Sequence, residues 1–390
     1  MAVERTLPTD EAAELLGLAG DIAAKELAPR AAADEEAARF PRDLFTLLGR
    51  SGLLGLPYPV DHGGGGQPYE VYLQVVEELA GAWLAVGLGV SVHTLACFPL
   101  AHYGDDDQRA EYLPALLGGE LLGAYCLSEA HSGSDAAALS TTARPDGSGH
   151  LIDGAKSWIT HGGAADFYTV FARTGGPGSG GRGIGCFHVP ASAEGISADP
   201  PERKMGMAAS PTAVVRFSGV RAGARIGAED QGFPIALAAL DSGRLGIAAC
   251  AVGVAQAALD VAVAYSRERT QFATPIGDFQ GIGFLLADMA TAVAAARELY
   301  LSAARLRDSG RPFATQAAMA KLYATDTAMK VTTDAVQVLG GNGYTRDFPA
   351  ERLMREAKVL QIVEGTNQIQ RVVIARALAR GAVPADREAT

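Results

Sequence analysis

The spacing of apolar and polar residues changes twice along the chain. From about residue 10 to 120 the apolar residues recur every three or four positions, which is typical of amphipathic helices. From about 121 to 230 they alternate in short β-rich runs separated by Gly, Pro and Asp, and from 231 onward the helical spacing returns. The longest helices are expected over 234–267, 281–308 and 315–339, with a shorter one from near Thr366.

This pattern predicts an α+β multidomain protein. We expect an N-terminal all-α domain over residues 1–120, a middle β domain (a barrel or sandwich) over 121–230 and a C-terminal α-helical bundle over 231–390. Helices of about 25 residues are about 40 Å long, which suits an antiparallel four-helix bundle.

Local signals predict several turns. Asp10 can cap the first helix, which should end before Pro29. DGSG at 146–149 is typical of a β-hairpin, and GGPGSGGRG at 175–183 should form a mobile loop between two strands.

Composition and charge exclude several classes of function. The chain has 390 residues, 48% of them hydrophobic and 20% charged, which is typical of a globular protein. The net charge of −11 argues against a nucleic-acid or anionic-membrane partner. The segment 245–265 is long enough to span a bilayer, but Gln256 and Asp260 favour a buried helix. No signal peptide is expected, and the four scattered cysteines suit a reducing cytoplasm.

Motifs for hydrolysis, phosphoryl transfer and metal binding are absent from the sequence. There is no G-x-S-x-G elbow, no Walker A segment and no H-E-x-x-H, and the seven histidines show no ligand spacing. We therefore expect no bound metal.

The strongest local candidate for chemistry is Glu364, in LQIVEGTNQIQRVVIAR at 360–376. An apolar, strand-like run precedes it, and Thr366 or Asn367 can cap the helix that follows. Burial there would raise the pKa of Glu364 and make it a better base near neutral pH. The alternative is that Glu364 merely belongs to the start of a helix.

Four further segments could contact a ligand, and each has a structural alternative. QVLGGNGY at 337–344 ends a helix in two glycines, which either cap the helix or allow close approach of a flat or phosphorylated ligand. YCLSEAHSGSDA at 125–136 can donate to a polar ligand or form an ordinary turn. Trp158 is more typical of a core residue than of a cofactor surface. Arg269 and Phe272 could pair with a phosphate and a base, or Arg269 could simply be a solvated residue at a helix end.

Taken together and in order, these segments resemble the acyl-CoA dehydrogenase family along nearly the whole chain. YCLSEAHSGSDA resembles the family's flavin loop, and DGAKSWITHGG resembles the strand with the flavin-facing tryptophan. LDSGRLGIA, ERTQFATPIGDFQ, QVLGGNGY and VEGTNQIQR complete the set, and the pattern is most similar to the short-chain type.

This resemblance implies an FAD-dependent dehydrogenase of a short or short-branched acyl-CoA. Glu364 would take the α-proton while the β-hydrogen leaves as hydride to flavin N5, giving the 2-enoyl-CoA. The backbone N–H of Glu364 and a ribityl hydroxyl would polarise the thioester carbonyl. Electrons would pass to an electron-transfer flavoprotein, and the family is typically a homotetramer, a dimer of dimers.

The family's contacts carry over to named positions of this sequence. The flavin contacts implied are Tyr125, Cys126, Leu127, Ser128, Ser134, Trp158, Ile159 and Thr160. The ADP half would meet Arg269, Phe272, Gln280, Gln337, Val338, Gly340 and Gly341 of a neighbouring subunit, and the pyrophosphate Thr366, Asn367 and Gln368. The CoA thioester would contact Ser134, Asp241, Arg244 and Gly365.

Three positions distinguish this chain within the family. Isovaleryl and long-chain members have their glutamate where this chain has Gly243, so Glu364 is the candidate base. The usual Glu-Pro of the flavin loop is Glu129-Ala130 here, which should loosen the loop. Val363 replaces a common Tyr beside the base, which should widen the pocket near Cα for an α-branched acyl group.

Two other enzyme classes share the scaffold. One is an oxygen-using relative, an acyl-CoA oxidase or flavin monooxygenase. The other is a dehydrogenase of a carrier-protein-bound acyl group.

Overall fold

The computed structural model describes residues 3–147, 149–176, 178–379 and 381. The N-terminal part is helical: α1 (Asp10–Ile22), α2 (Ala28–Glu36), α3 (Arg42–Arg50), α4 (Tyr69–Ala82), α5 (Leu84–Tyr103) and α6 (Asp106–Leu117). Thr9, not Asp10, caps α1, because its hydroxyl accepts the backbone N–H of Ala12.

The first helix, α1, ends at Ile22, before Pro29, as predicted, but the helical path does not stop there. A π-helical turn, Ala23–Leu27, follows α1 directly and leads into α2. Pro29 is the second residue of α2. Proline is tolerated in the first turn of a helix, because backbone N–H groups there lack the usual hydrogen-bond partner of the same helix. The helical path therefore continues to Glu36.

The middle part forms one eight-stranded sheet. Its strands are β1 (Gly123–Cys126), β2 (Thr142–Asp146), β3 (Gly149–Thr160), β4 (Phe167–Arg173), β5 (Ile184–Pro190), β6 (Ile196–Ala198), β7 (Thr212–Arg221) and β8 (Ala224–Ile226). Their order is β6-β7-β3-β2-β4-β5-β8, with β1 parallel to β4.

Both loops predicted in this sheet connect the expected strands. Asp146 pairs with Gly149, so the predicted β2–β3 hairpin is confirmed, although Ser148 lies outside the described residues. The glycine-rich segment joins β4 to β5 through a 3₁₀ turn, Gly180–Gly183, and its Pro177 is not among the described residues. Its mobility stays a prediction.

The C-terminal part is helical again. It contains α7 (Gly232–Glu268), the small hairpin β9 (Thr270–Gln271) and β10 (Thr274–Pro275), α8 (Gln280–Asp308), α9 (Ala314–Leu339), α10 (Gly341–Tyr344), α11 (Ala350–Leu360) and α12 (Asn367–Ala379). The interpretation of the run before Glu364 as strand-like is wrong. That run ends α11, in which Leu353, Ala357 and Leu360 are buried at helical spacing.

The central helix of the protein is α7, which packs against α4, α5, α8 and α9. It is rich in Ala, Val and Gly because its neighbours approach closely. A Cβ atom at Gly253 would lie 2.2 Å from the carbonyl oxygen of Glu77 on α4. The packing of α4 on α7 therefore requires glycine at this position.

By length and composition, two helices could cross a membrane: α5 and α7. Within their most apolar windows, 94% and 67% of the residues are buried inside the protein. The core helices of soluble proteins share both properties. Of the segment 245–265, predicted to be a buried helix, residues 245–255 are buried throughout and the rest only in part, with Ala264 exposed.

Candidate active site around Glu364

Glu364 lies in a turn that joins α11 to α12. Its φ is +54° and that of Gly365 is +86°, so two successive residues adopt the left-handed region. For glutamate this conformation costs on the order of 1 kcal/mol and must be imposed by its surroundings. The side-chain amide of Gln370 donates to the carbonyl oxygens of Glu364 (3.2 Å) and Gly365 (2.8 Å), and Thr366 Oγ1 accepts the N–H of Ile369.

The Glu364 carboxylate lies against α7 at Gly243. A Cβ atom at Gly243 would come within 3.1 Å of Glu364 Oε2 and 3.2 Å of Leu95 Cδ1, so glycine provides the space for the carboxylate. Oε2 is buried and has no hydrogen-bond partner among the described residues. It is therefore available to take a proton from a bound molecule.

Burial gives this carboxylate the acid–base properties of a general base. Burial raises the pKa of Glu364 to about 7, and the positive charges of Arg244 and Lys321 partly oppose the rise. A pKa near the working pH maximises proton transfer by a general base. The predicted effect of burial on the pKa of Glu364 is thus confirmed.

The turn of α7 around Gly243 carries an ion pair. Arg244 Nη1 lies 2.5 Å from Asp241 Oδ1, and Arg244 is buried while its Nε has no partner among the described residues. Burial raises the pKa of Asp241, and Arg244 opposes the rise. The free Nε can donate to a polar ligand, so the predicted CoA contacts Asp241 and Arg244 lie beside the candidate base.

An apolar cluster of side chains lies close to the carboxylate. Leu95 and Phe98 of α5 pack with Ala239 of α7, and Tyr125 of β1 covers them. The Tyr125 hydroxyl donates to the carbonyl of Ala236 at 3.3 Å. Leu95 belongs to this cluster and also borders the space beside Gly243, so the cluster extends from Tyr125 toward Glu364. Leu95 and Phe98 were not predicted from the sequence, where they look like ordinary residues of a buried helix.

The loop after β1 is held by a buried ion pair. Glu129 Oε1 lies 2.8 Å from Lys156 Nζ, and the other Glu129 oxygen accepts the N–H and Oγ–H of Ser140, each at 2.7 Å. Burial raises the pKa of Glu129, but Lys156 and these hydrogen bonds outweigh it and lower the pKa to about 2. Glu129 and Ser132 also exchange two backbone hydrogen bonds. These contacts hold the loop at Glu129 and Ser132, and its loosening by Ala130 stays a prediction.

Trp158 lies on a β-bulge next to this loop. The register of β3 against β7 shifts between Lys156 and Ile159, and Trp158 there has φ +63° and is 62% exposed. The N–H of Ser157 donates to the carbonyl of Ser128 at 2.9 Å, which joins the bulge to the loop. The interpretation of Trp158 as a core residue is wrong, because the bulge turns the indole outward.

The other predicted flavin contacts divide into two groups. Cys126, Leu127 and Ile159 are buried in the sheet, so only their backbone could face a ligand. Ser134 is exposed, and Ser128 and Thr160 are half-buried.

Most residues predicted to bind the ADP half lie together at the far end of α7. A cavity of about 500 Å³ is lined by Arg269, Phe272, Val338, Gly340 and Gly341, among others. Gln280 begins α8 beside it and Gln337 is exposed on α9. From Gly243 to Glu268 the helix rises about 38 Å, so this cavity and the Glu364 turn are separate in one chain.

The residues after Gly365 match the prediction only in part. Thr366 caps α12 and Gln368 is exposed. The Asn367 side chain is buried and bonds to Lys321, Thr325 and Asp326 of α9. It is therefore not available to a ligand in the way that the sequence suggested.

These features fit a bound flavin dinucleotide. Trp158 and Phe272 are exposed aromatic faces, and Arg269 can pair with a phosphate. Cβ atoms at Gly340 and Gly341 would meet no atom within 4 Å, so a ligand can approach the backbone there. No cluster of three metal-binding side chains occurs among the described residues.

Comparisons with known proteins agree with this site. The acyl-CoA dehydrogenase N-terminal, middle and C-terminal domains match residues 9–120, 124–220 and 230–379. An acyl-CoA dehydrogenase of Bacillus subtilis is 44% identical over 376 residues, which cover 96% of this chain and 99% of that protein.

Two solved structures resemble the whole chain, each with a TM-score of 0.94 over 97% of this chain and 100% of the other. Butyryl-CoA dehydrogenase from Megasphaera elsdenii is 39% identical. A chain from a structure of the electron transferring flavoprotein of Acidaminococcus fermentans is 40% identical.

The fold and site define an FAD-dependent oxidoreductase. The chain belongs to the acyl-CoA dehydrogenase family. The resemblance and the fold class inferred from the sequence are thus confirmed.

Proposed function

We propose that this enzyme converts a short or short-branched acyl-CoA to the 2-enoyl-CoA, with Glu364 as the base that takes the α-proton. The observation that carries the proposal is the buried Oε2 of Glu364, which has no hydrogen-bond partner among the described residues and lies beside Gly243 and close to an apolar cluster. Its pKa, raised by burial to about 7, allows the ionised form to exist at neutral pH and to accept a proton.

The chain's own groups supply positioning and charge stabilisation. The backbone N–H of Glu364 can donate to the thioester carbonyl and stabilise the negative charge that develops there when the α-proton leaves. Asp241, Arg244, Ser134 and Gly365 would hold the CoA part. Bound FAD supplies the acceptor for the β-hydrogen, which leaves as a hydride.

The apolar cluster supports a small acyl group, because Leu95 borders the space next to the carboxylate and Phe98 packs in the same cluster. Val363 supports an α-branch, since an aromatic residue at that position would occupy more volume beside the base.

The arrangement along α7 supports a homo-oligomer. One FAD molecule would have its reactive end at the Glu364 site of one copy and its ADP half in the Arg269 cavity of another copy. About 38 Å of helix separates the two sites in one chain, further than one extended FAD molecule reaches. We expect the family's homotetramer, a dimer of dimers.

Transfer of electrons to an electron-transfer flavoprotein is supported by the similar chain from the Acidaminococcus fermentans structure. The four free, buried cysteines support a reducing compartment such as the cytoplasm.

The test is an anaerobic visible spectrum of the purified yellow protein, before and after addition of short straight and branched acyl-CoA esters. Bleaching of the flavin band by a short ester supports the proposal. If the protein is yellow but is reduced only by carrier-bound acyl groups, or reacts only with oxygen as the acceptor, the proposal is overturned. The first result favours the carrier-protein class and the second the oxygen-using class. Glu364→Gln should keep FAD and bind the ester but lose most of the reduction.

The preference for an α-branched acyl group is tested separately. The parent enzyme should prefer a 2-methyl acyl-CoA over its straight isomer, and Val363→Tyr should reverse this preference. If the parent and Val363→Tyr show the same preference between the two esters, Val363 does not determine acceptance of an α-branch.

A further inference from the structure

Lys321 is a buried cation that no step above uses. It lies on α9 with its side chain fully buried. Its Nζ donates to the carbonyl oxygen of Gly365 at 3.0 Å and to Asn367 Oδ1 at 2.8 Å, both neutral acceptors. A buried ammonium group costs several kcal/mol unless an opposite charge offsets it.

The negative charges near Lys321 are those of Glu364, whose neighbour Gly365 it holds through the backbone carbonyl, and of Asp326. Burial lowers the pKa of Lys321 to about 7, and the negative charge that opposes this most is that of Glu364. In return, Lys321 is one of the two cations that lower the pKa of Glu364. The other cation, Arg244, already forms an ion pair with Asp241.

Lys321 also holds the backbone on which Glu364 is carried. One acceptor belongs to Gly365, itself one of the two left-handed residues, and the other belongs to Asn367, two residues further along. Thr325 and Asp326, on the next turn of α9, hold the same Asn367 side chain. The strained turn is thereby attached to a long, buried helix.

We propose that Lys321 is a positioning residue for Glu364: its ammonium group holds the left-handed turn on α9 and provides the positive charge that keeps the carboxylate ionised. The inference rests on the proposed function only in naming Glu364 as the base. The other charged or titratable groups near the carboxylate are Arg244 of α7, Tyr69 of α4 and Tyr125 of β1. Behind them, Asp241 of α7 pairs with Arg244, and Asp326 of α9 lies near Lys321.

The test compares Lys321→Met with Lys330→Met in the holoenzyme. Lys330 is an exposed lysine of the same helix that pairs with Asp334. An infrared titration follows the protonated carboxyl band of Glu364, identified by its loss in Glu364→Gln. Removing the Lys321 charge should move the Glu364 midpoint upward by about 1 pH unit, whereas Lys330→Met should leave it unchanged.

Kinetics give a second measurement. With the best acyl-CoA ester, Lys321→Met should lower kcat at pH 7 by about 10-fold, with KM changed less than 3-fold and FAD content unchanged. The acidic limb of the kcat profile should move in the same direction as the infrared midpoint. An unshifted midpoint with a normal kcat would overturn the proposal.

A second variant covers failure of the first to fold. Lys321→Arg keeps the charge and should keep the parent midpoint even if its kcat falls, so a raised midpoint in this variant would overturn the electrostatic role. Failure of the proposed function would appear separately, because the infrared midpoint needs no substrate. If the Glu364 midpoint shifts but no acyl-CoA reduces the enzyme, the role of Lys321 is supported and only the proposed acyl-CoA substrate is rejected.

Discussion

The carboxylate of Glu364 occupies the space that a side chain at Gly243 would fill, since a Cβ atom there would lie 3.1 Å from Glu364 Oε2. These two positions are 121 residues apart in sequence and belong to α7 and the turn before α12. Relatives that have their glutamate at the position of Gly243 would therefore direct a carboxylate toward the same space from α7 instead of from the turn before α12.

Gly243→Ala should lower the rate of flavin reduction without unfolding the enzyme. The added methyl group must displace the carboxylate or Leu95 by a few tenths of an ångström, and we expect a loss of about 10-fold in kcat. Alanine improves helix propensity by about 1 kcal/mol, which offsets part of the crowding. Stopped-flow reduction by the best ester measures the effect.

Gly17→Ala provides the matched control for this substitution. Gly17 is a helical glycine of α1 whose Cβ atom would meet nothing within 4 Å. It should gain stability and keep the parent rate. A Gly243→Ala enzyme that reduces its flavin as fast as this control would contradict the contact.

Glu364→Gln should make the protein more stable at high pH. Because burial raises the folded-state pKa to about 7, the folded state binds the proton more tightly than the unfolded chain, and stability falls as pH rises from about 4.5 through 7. The amide does not ionise, so at pH 8 the variant should gain up to about 3 kcal/mol. The melting temperature of both proteins at pH 5 and pH 8 measures this; an equal difference at the two pH values would be inconsistent with a raised pKa.

Trp158→Gly should weaken FAD binding but not the fold. Trp158 is exposed and has φ +63°, a conformation that glycine adopts at lower cost, so the apoprotein should be unchanged or stabilised by about 1 kcal/mol. Loss of an aromatic face should weaken FAD binding by about 10-fold, measured by fluorescence titration.

The other tryptophan, Trp83, is the control because it is fully buried and donates to Glu35. Trp83→Phe leaves Glu35 Oε1 without its donor, although the N–H of Ala209 still donates to Oε2, and should destabilise the fold. If Trp158→Gly lowers the apoprotein melting temperature as Trp83→Phe does, Trp158 is structural.

Lys156→Met should destabilise the middle sheet by about 3–5 kcal/mol, because it leaves Glu129 buried and unpaired. The double variant with Glu129→Gln should recover part of the loss. The pKa of Glu129 is lowered to about 2, so its contribution is present above about pH 4.5 and is lost as pH falls toward 2. Melting temperatures at pH 7 and pH 3 test both statements.

The exposed pair Arg144–Asp153 on the neighbouring hairpin is the matched control for Lys156. Breaking it with Arg144→Met should cost less than about 1 kcal/mol at any pH. A Lys156→Met variant as stable as Arg144→Met would show that the buried pair does not hold the flavin loop.

The parts of this protein that were predictable from sequence are those that local periodicity determines. The α7, α8 and α9 helices begin and end within a few residues of their predicted bounds, because their apolar spacing is regular over many turns. The continuation of the helical path past Ile22 was not predicted, since a proline in the first turn of α2 gives the same sequence signal as one that follows the end of a helix.

Features that depend on distant residues were not predictable. Lys321 looks like an ordinary lysine of an amphipathic helix, and its partners Gly365 and Asn367 are more than 40 residues away. The outward turn of Trp158 depends on the register of β3 against β7, which no local pattern specifies. Glu364 could be named because its neighbours resemble a family motif, but the space at Gly243 becomes visible only when α7 and the turn are packed together.

Because α7 is long, a mutation at one of its ends affects the active site of a neighbouring subunit in the proposed assembly. One end of the helix lies beside its own Glu364 and the other end forms the Arg269 cavity, which in the proposed assembly belongs to a neighbour's site. A subunit with a defect at Arg269 would then impair the copy beside it and keep its own base intact. Two alleles, each inactive alone, could restore some working sites when their products mix in one assembly.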